Sequence, residues 1–190
     1  MAAETLSYIL ALGTVALQAA IGALLIIYIM RKHPGFADLS ELISRWGMWL
    51  ALAASLVVSA LTLFYSEVLG FPPCPLCWWQ RMFLYPQVVL FSLALWKKDR
   101  LPAPQGTLRQ TGSVADYSIA MSVIGFGVAL YHHTLQVLPA GSLPCPAEGA
   151  VSCAQRFIFE FGYITLPLMA ATLFAFLIVL MLFVRWDRGS

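Results

Sequence analysis

The residues best suited to chemistry are two cysteines spaced three apart, Cys74 and Cys77, at the head of a long apolar segment. Arg81 follows the second cysteine by one helical turn, within the stretch FPPCPLCWWQR. A pair with this spacing can form and break a disulfide, and its thiols become reactive when the pKa falls. The same spacing also occurs in zinc sites. Pro72 and Pro73 stop any preceding helix, and Pro75 fits the first turn of a new one, where its missing amide costs nothing. Cys77 would then lie in that first turn, where free amides and the helix dipole favour a thiolate. Arg81, four residues on, shares its face and can stabilise an anion or a carbonyl-bearing ligand. A basic residue inside an apolar segment is costly and is a functional hypothesis by default. Snorkelling to the headgroups explains a lone arginine at this depth equally well. The neighbouring cysteines favour the functional reading.

A second pair, Cys145 and Cys153, brackets the seven residues PAEGAVS. Pro144, Pro146 and Gly149 make this a loop. The spacing can close a disulfide, and an exposed loop disulfide is open to exchange. Taken alone it reads as a static staple. With a CxxC on the same side of a membrane, a thiol relay becomes the better reading. His132 and His133 lie near the outer end of the fourth apolar segment and can donate a hydrogen bond or a proton at neutral pH. Adjacent helical positions point about 100° apart, so at most one histidine should face a helix bundle. Trp78, Trp79, Phe83 and Tyr85 could line a flat apolar pocket, and they are equally what an interfacial aromatic belt contains.

The elements that must position these groups are membrane helices. The 190 residues are 61% hydrophobic and only 11% charged, against roughly 25% charged in a soluble domain. Nothing resembles the basic, aromatic-interleaved patch of a nucleic-acid binder. Five segments have about the length needed to cross a bilayer: Leu6 to Met30, Trp46 to Tyr65, Leu76 to Trp96, Tyr117 to Leu138 and Tyr163 to Val184. The first has no basic flank before it and too long an apolar core for a cleavable signal, so it reads as a retained helix. Residues 33–45 read as a connection, with Ser40 able to cap a short interfacial helix. With the N-terminus outside, Arg31, Lys32, Arg45, Lys97, Lys98, Arg100, Arg109, Arg185 and Arg188 fall inside, and only Arg81 and Arg156 fall outside. That bias places both cysteine pairs at the outer, oxidising face. The expected fold is an all-α integral membrane protein: a four-helix transmembrane bundle plus one additional N-terminal transmembrane helix. Residues 1–45 would hold that helix and its cytoplasmic connection, and 46–190 the redox domain.

CPLCWWQR, HHTLQ and CPAEGAVSC followed by FGYITLP together resemble the DsbB family of disulfide-forming membrane oxidoreductases, especially its short-looped BdbC-type members. The resemblance covers roughly Trp46 to Arg188. It implies a bacterial inner-membrane enzyme that reoxidises a DsbA-like thioredoxin-fold partner and passes the electrons to a quinone, ubiquinone or menaquinone. It further implies that Cys145 and Cys153 exchange with the partner, Cys145 forming the mixed disulfide. Cys74 and Cys77 would be the inner pair, with Cys77 beside the quinone and Arg81, a histidine and Trp78 among its contacts. In that family the histidine precedes its glutamine by about one helical turn, which, counted back from Gln136, implies His132, with His133 a second candidate. The chain departs from the family pattern in its extra first helix, in its short outer loop, and in Gln80, which stands where an acid often precedes the arginine. Three other readings compete. A vitamin K epoxide reductase-like enzyme also couples thiols to a quinone, but there the loop cysteines precede the CxxC. A metal-binding membrane protein would use Cys₄ or Cys/His ligation. An assembly subunit would hold all four cysteines in static disulfides.

Overall fold

A computed structural model describes residues 2–100, 106–139, 144–145, 152–156 and 158–186. The middle of the second cysteine loop, including Pro146 and Gly149, lies outside the described residues, as does Arg188. Among the described residues five α-helices follow in order: α1 (Ala2–Met30), α2 (Pro34–Leu63), α3 (Pro75–Arg100), α4 (Gly106–Val137) and α5 (Leu166–Trp186). Among the described residues the one extended pairing is an isolated bridge between Glu160 and Ile164.

Among the described residues, four helical segments are long and apolar enough to cross a membrane: Thr5–Met30, Pro34–Val68, Val114–Val137 and Leu166–Trp186. The chain is a multi-pass α-helical membrane protein. The remaining helix, α3, has 26 residues, enough for a crossing of roughly 39 Å at 1.5 Å per residue. Gln80, Arg81 and Gln87 lower its hydropathy, and the last two are buried in the bundle rather than turned to lipid.

Helices α2 to α5 pack as a ring, each on its neighbours, while α1 lies outside against α5 and α2. The core gathers around α5, with Phe174, Leu177, Leu180 and Met181 fully buried. Two glycines allow close helix approach, as small residues do in membrane bundles. A Cβ at Gly125 would sit 2.6 Å from the Phe174 ring, and one at Gly47 2.8 Å from Val184. Between α3 and α4, Gln87 donates to Ser122 Oγ (3.1 Å) and accepts from Ser118 Oγ (2.7 Å). All three side chains are fully buried, so this network satisfies polar groups that the apolar interior could not.

The connections differ from expectation. Residues 34–45 are not a loop: Pro34 occupies the first turn of α2 after His33, and the helix runs on unbroken. Ser40 does not cap; it lies within α2, where its Oγ donates to the Ala37 carbonyl at 2.7 Å. Helix α4 begins at Gly106 rather than near Tyr117. A π-helical turn, Phe64–Val68, extends α2 past the expected stop. At the end opposite the cysteines, the Arg31 guanidinium lies 4.0 Å from the ring centres of both Tyr28 and Trp186. Arg185 there pairs with Asp116 at 3.2 Å.

Candidate functional site

The inner cysteine pair is placed by the way the chain leaves α2. The π turn brings Phe71 N–H to the Tyr65 carbonyl (3.1 Å), and the two rings stack at 5.9 Å. Gly70 adopts φ 70°, a left-handed conformation that glycine takes without strain. The chain then enters α3 through Cys74. The Cys74 carbonyl accepts the first helical hydrogen bond, from Trp78 N–H at 3.2 Å, and Pro75 takes the first turn as expected. Cys74 is therefore the N-cap of α3.

That position redirects one first-turn donor. The backbone N–H of Cys77 points at Cys74 Sγ (3.3 Å), and the two sulfurs are 2.7 Å apart as free thiols. The expectation that the helix N-terminus serves a thiolate at Cys77 is corrected: the Cys77 amide donates to Cys74 Sγ instead. Cys74 lies ahead of the membrane-spanning part of α3, and its pKa is pulled down to about 4. The hydrogen bond from the Cys77 thiol is the largest cause, opposed by burial and aided by His132 and the Cys77 amide.

His132, fully buried on α4, joins the two cysteine pairs. Its Nε2 lies 3.2 Å from the Cys153 carbonyl and 3.6 Å from Cys74 Sγ. A carbonyl only accepts, so Nε2 carries the hydrogen and Nδ1 accepts from the Gln80 amide at 3.0 Å. Gln80 thus holds the histidine tautomer, a role that its spacing of three from Cys77 hints at and that no motif names. The end of α4 also secures the loop that carries Cys153. Gln136 donates to the Gln155 carbonyl (3.0 Å), and Arg156 donates to the Gln136 carbonyl (2.6 Å). Cys145 and Cys153 form a disulfide with Cα atoms 6.0 Å apart. Its two ends differ sharply: Cys145 is exposed, whereas Cys153 is 0% exposed and packs with Cys74, Leu76 and Leu135.

On the other side of the inner pair, Cys77 lines a cavity of about 320 Å³ together with Gln80, Arg81 and Leu84 of α3 and His132 of α4. Positions 77, 80, 81 and 84 follow one helical face. Arg81 is only 8% exposed and donates to the Thr62 carbonyl at 2.9 Å. It is held in the protein and does not snorkel. The two histidines separate as their spacing requires: His133 turns away to Thr165 Oγ1 (2.9 Å), outside the cavity. Trp78 is also outside it, 56% exposed on the helix surface, with the Arg81 guanidinium 5.3 Å from its ring. Phe83 and Tyr85 do not line the cavity either, and the Tyr85 hydroxyl bonds Thr62 Oγ1 at 3.0 Å.

A family model described as "Disulfide bond formation protein DsbB" matches residues 44–184. The chain belongs to the DsbB family. It is 30% identical over 143 residues to "Disulfide bond formation protein C" of Bacillus subtilis, covering 73% of this chain and 95% of that one. It is 33% identical over 142 residues to "Probable disulfide formation protein C" of Halalkalibacterium halodurans, covering 75% and 93%. A "Probable disulfide formation protein C 1" of Bacillus cereus is 34% identical over 126 residues, covering 66% and 82%. No solved structure matches the chain. Membership makes this DsbB-family protein a membrane oxidoreductase of the thiol-oxidising, disulfide-forming kind.

The same geometry bears on metal ligation. Cys74, Cys77 and His132 bring ligand atoms within 4.8 Å of one another. Cys145 and Cys153 are bonded to each other, so a Cys₄ site is excluded. The 2.7 Å between Cys74 and Cys77 sulfurs is nearer a disulfide bond of about 2.0 Å than the roughly 3.8 Å between two thiolates on tetrahedral zinc. That spacing suits a pair that closes a disulfide.

Proposed function

We propose that this DsbB-family protein is a thiol:quinone oxidoreductase that reoxidises a DsbA-like thioredoxin-fold dithiol protein. One observation carries the reading. A graded path runs from the exposed Cys145, through the buried Cys153 and Cys74 packed together, to Cys77 on the wall of an apolar cavity that also holds a buried arginine.

The partner's thiolate attacks the exposed Cys145 sulfur, releasing Cys153. The partner's second thiol resolves that mixed disulfide, leaving the partner oxidised and Cys145 and Cys153 reduced. Cys153 then attacks Cys74 of an oxidised Cys74–Cys77 pair, which releases Cys77 at the cavity wall. Cys145 attacks Cys153, re-forming the outer disulfide and releasing Cys74. The low Cys74 pKa makes it a good leaving group. Two electrons and two protons have moved from the partner's dithiol to Cys74 and Cys77. His132 holds the Cys153 carbonyl and reaches Cys74, so it keeps attacking and attacked sulfurs together.

A quinone, ubiquinone or menaquinone, fits the cavity's chemistry: apolar walls for a flat ring, and donors on Arg81, Gln80 and His132 for its oxygens. When bound it supplies an acceptor for two electrons and two protons. Partners of the DsbA type are already oxidising, at roughly −120 mV, so a still more oxidising acceptor is required. Arg81 and His132 are the contacts favoured for it; the positions of Trp78 and His133 outside the cavity argue against direct contact. Clustering of Arg31 and Arg185 at the end opposite the cysteines supports an outer-face site in the bacterial inner membrane, with the N-terminus outside.

The test is turnover of quinone by the purified protein with a reduced thioredoxin-fold partner. Cys77→Ser should abolish quinone reduction while leaving single-turnover oxidation of the partner by Cys145–Cys153 intact. Full quinone turnover in that variant would sink the proposal.

A further inference from the structure

The family match begins at residue 44 and leaves α1 outside it, yet α1 forms part of the cavity. Leu10, Gly13, Thr14 and Leu17 supply one wall, facing Val57 and Leu61 of α2. The helix is fixed by specific contacts at this level. Gln18 donates to Thr172 Oγ1 of α5 (3.3 Å) and accepts from the Tyr163 hydroxyl (3.2 Å). Nearer its start, Ser7 meets the Tyr65 hydroxyl at 3.5 Å, and the rings of Tyr8 and Phe161 lie 5.6 Å apart. Between these anchors α1 does not close onto α2. The Thr14 hydroxyl is spent on the Leu10 carbonyl (2.8 Å), so the cleft it faces is apolar. Gly13 and Val57 are both exposed at its rim, and a Cβ added at Gly13 would meet nothing within 4 Å.

The cavity therefore has two chemically distinct ends. Cys77, Gln80, Arg81 and His132 make a polar end, and the α1–α2 cleft makes an apolar end that opens sideways between two membrane helices. At about 320 Å³ the cavity is at the small end of ligand pockets, roughly 300–1,000 Å³. It cannot enclose both a ring and a tail of many prenyl units. A tail leaving towards water would expose apolar surface, whereas one leaving through the cleft stays in lipid.

We propose that α1 is the tail-side wall of the cofactor site, and that the cleft between Gly13 and Val57 is a lateral portal for the prenyl tail of a membrane quinone. This rests on the quinone reading of the cavity. The ligand class is a long-chain prenyl quinone, and α1 makes the tail a determinant of specificity.

The test compares full-length wild type with Gly13→Phe, with Val57→Trp, which narrows the cleft from the opposite wall, and with Gly22→Phe. Gly22 is equally open but lies outside the cavity. Each is assayed on benzoquinone and naphthoquinone rings with and without a prenyl tail. The ratio of kcat/KM for tailed over tailless quinone should fall about tenfold in both cleft variants and stay within about twofold in Gly22→Phe, the scale set by losing fit in an apolar pocket. An unchanged ratio in both cleft variants overturns the proposal. A quinone with a photoreactive group in its tail, added to wild type, should crosslink within residues 9–17 or 57–61, and crosslinks confined to α3, α4 and α5 also overturn it. If wild type reduces no quinone, the redox reading fails, and the crosslink pattern alone then decides whether the cleft takes a prenyl chain.

Discussion

Removing the Cys77 thiol should raise the pKa of Cys74 in a way that depends on what replaces it. Three groups hold the Cys74 thiolate: the Cys77 thiol at 2.7 Å, the Cys77 amide at 3.3 Å and His132 Nε2 at 3.6 Å. Burial opposes them, and together they bring the pKa to about 4, with the Cys77 thiol the largest contributor. A hydrogen bond to a charged group is worth about 1.5–3 kcal/mol, and each pKa unit corresponds to about 1.36 kcal/mol. Cys77→Ala should therefore raise the Cys74 pKa by about 1–2. The value should stay below that of an ordinary thiol, because the amide and His132 remain. Cys77→Ser keeps a hydroxyl donor and should raise it less. In both variants, with the outer disulfide intact, Cys74 is the one free cysteine, so the pH profile of its alkylation by iodoacetamide reads it directly. The sign is that of a depressed pKa. The thiolate's contribution to stability is full above the unfolded thiol's pKa and is lost as the pH falls towards about 4. Alanine and serine variants that both titrate as ordinary thiols would refute the N-cap assignment of the helix donors.

Two further outcomes follow from the packing. Arg81→Met should raise the KM for quinone by about 10- to 100-fold, the scale of one lost charge-assisted hydrogen bond, while partner oxidation in a single turnover is unaffected; stopped-flow measurement of the two half-reactions separates them. Gly125→Leu must displace the Phe174 ring, which also lines the cavity. It should cost about 1–3 kcal/mol of stability, seen as a lower thermal unfolding midpoint in detergent, and should weaken quinone turnover with it.

Much of the site was legible because helical geometry is local. Pro75 fixed the start of α3, and the spacing of Cys77 and Arg81 put them on one face wherever that face pointed. Two adjacent histidines point in different directions, as their spacing requires, and His132, which the family resemblance implied through Gln136, is the one at the cavity. Composition sufficed for an all-α membrane fold, since apolar segments of bilayer length have few alternatives. Residues 34–45 misled because their mixed polarity marks a helix leaving the apolar zone as readily as a loop.

The sequence by itself determined where the two cysteine pairs lie along the chain, and that Cys77 and Arg81 share a face. Only the tertiary structure decided what that face meets. Trp78 is one residue from Cys77 yet points outward, and Gln80 finds a partner 52 residues away in His132. Cys153 is buried against Cys74 while Cys145 is exposed, because the end of α4 pins one part of a loop that the cysteine spacing leaves free. The fate of α1 was equally beyond the sequence, which marks a membrane helix without naming its neighbours. Periodicity sets directions within one helix; the partners along those directions depend on how separate helices pack, and that is fixed by close contacts such as Gly125 on Phe174.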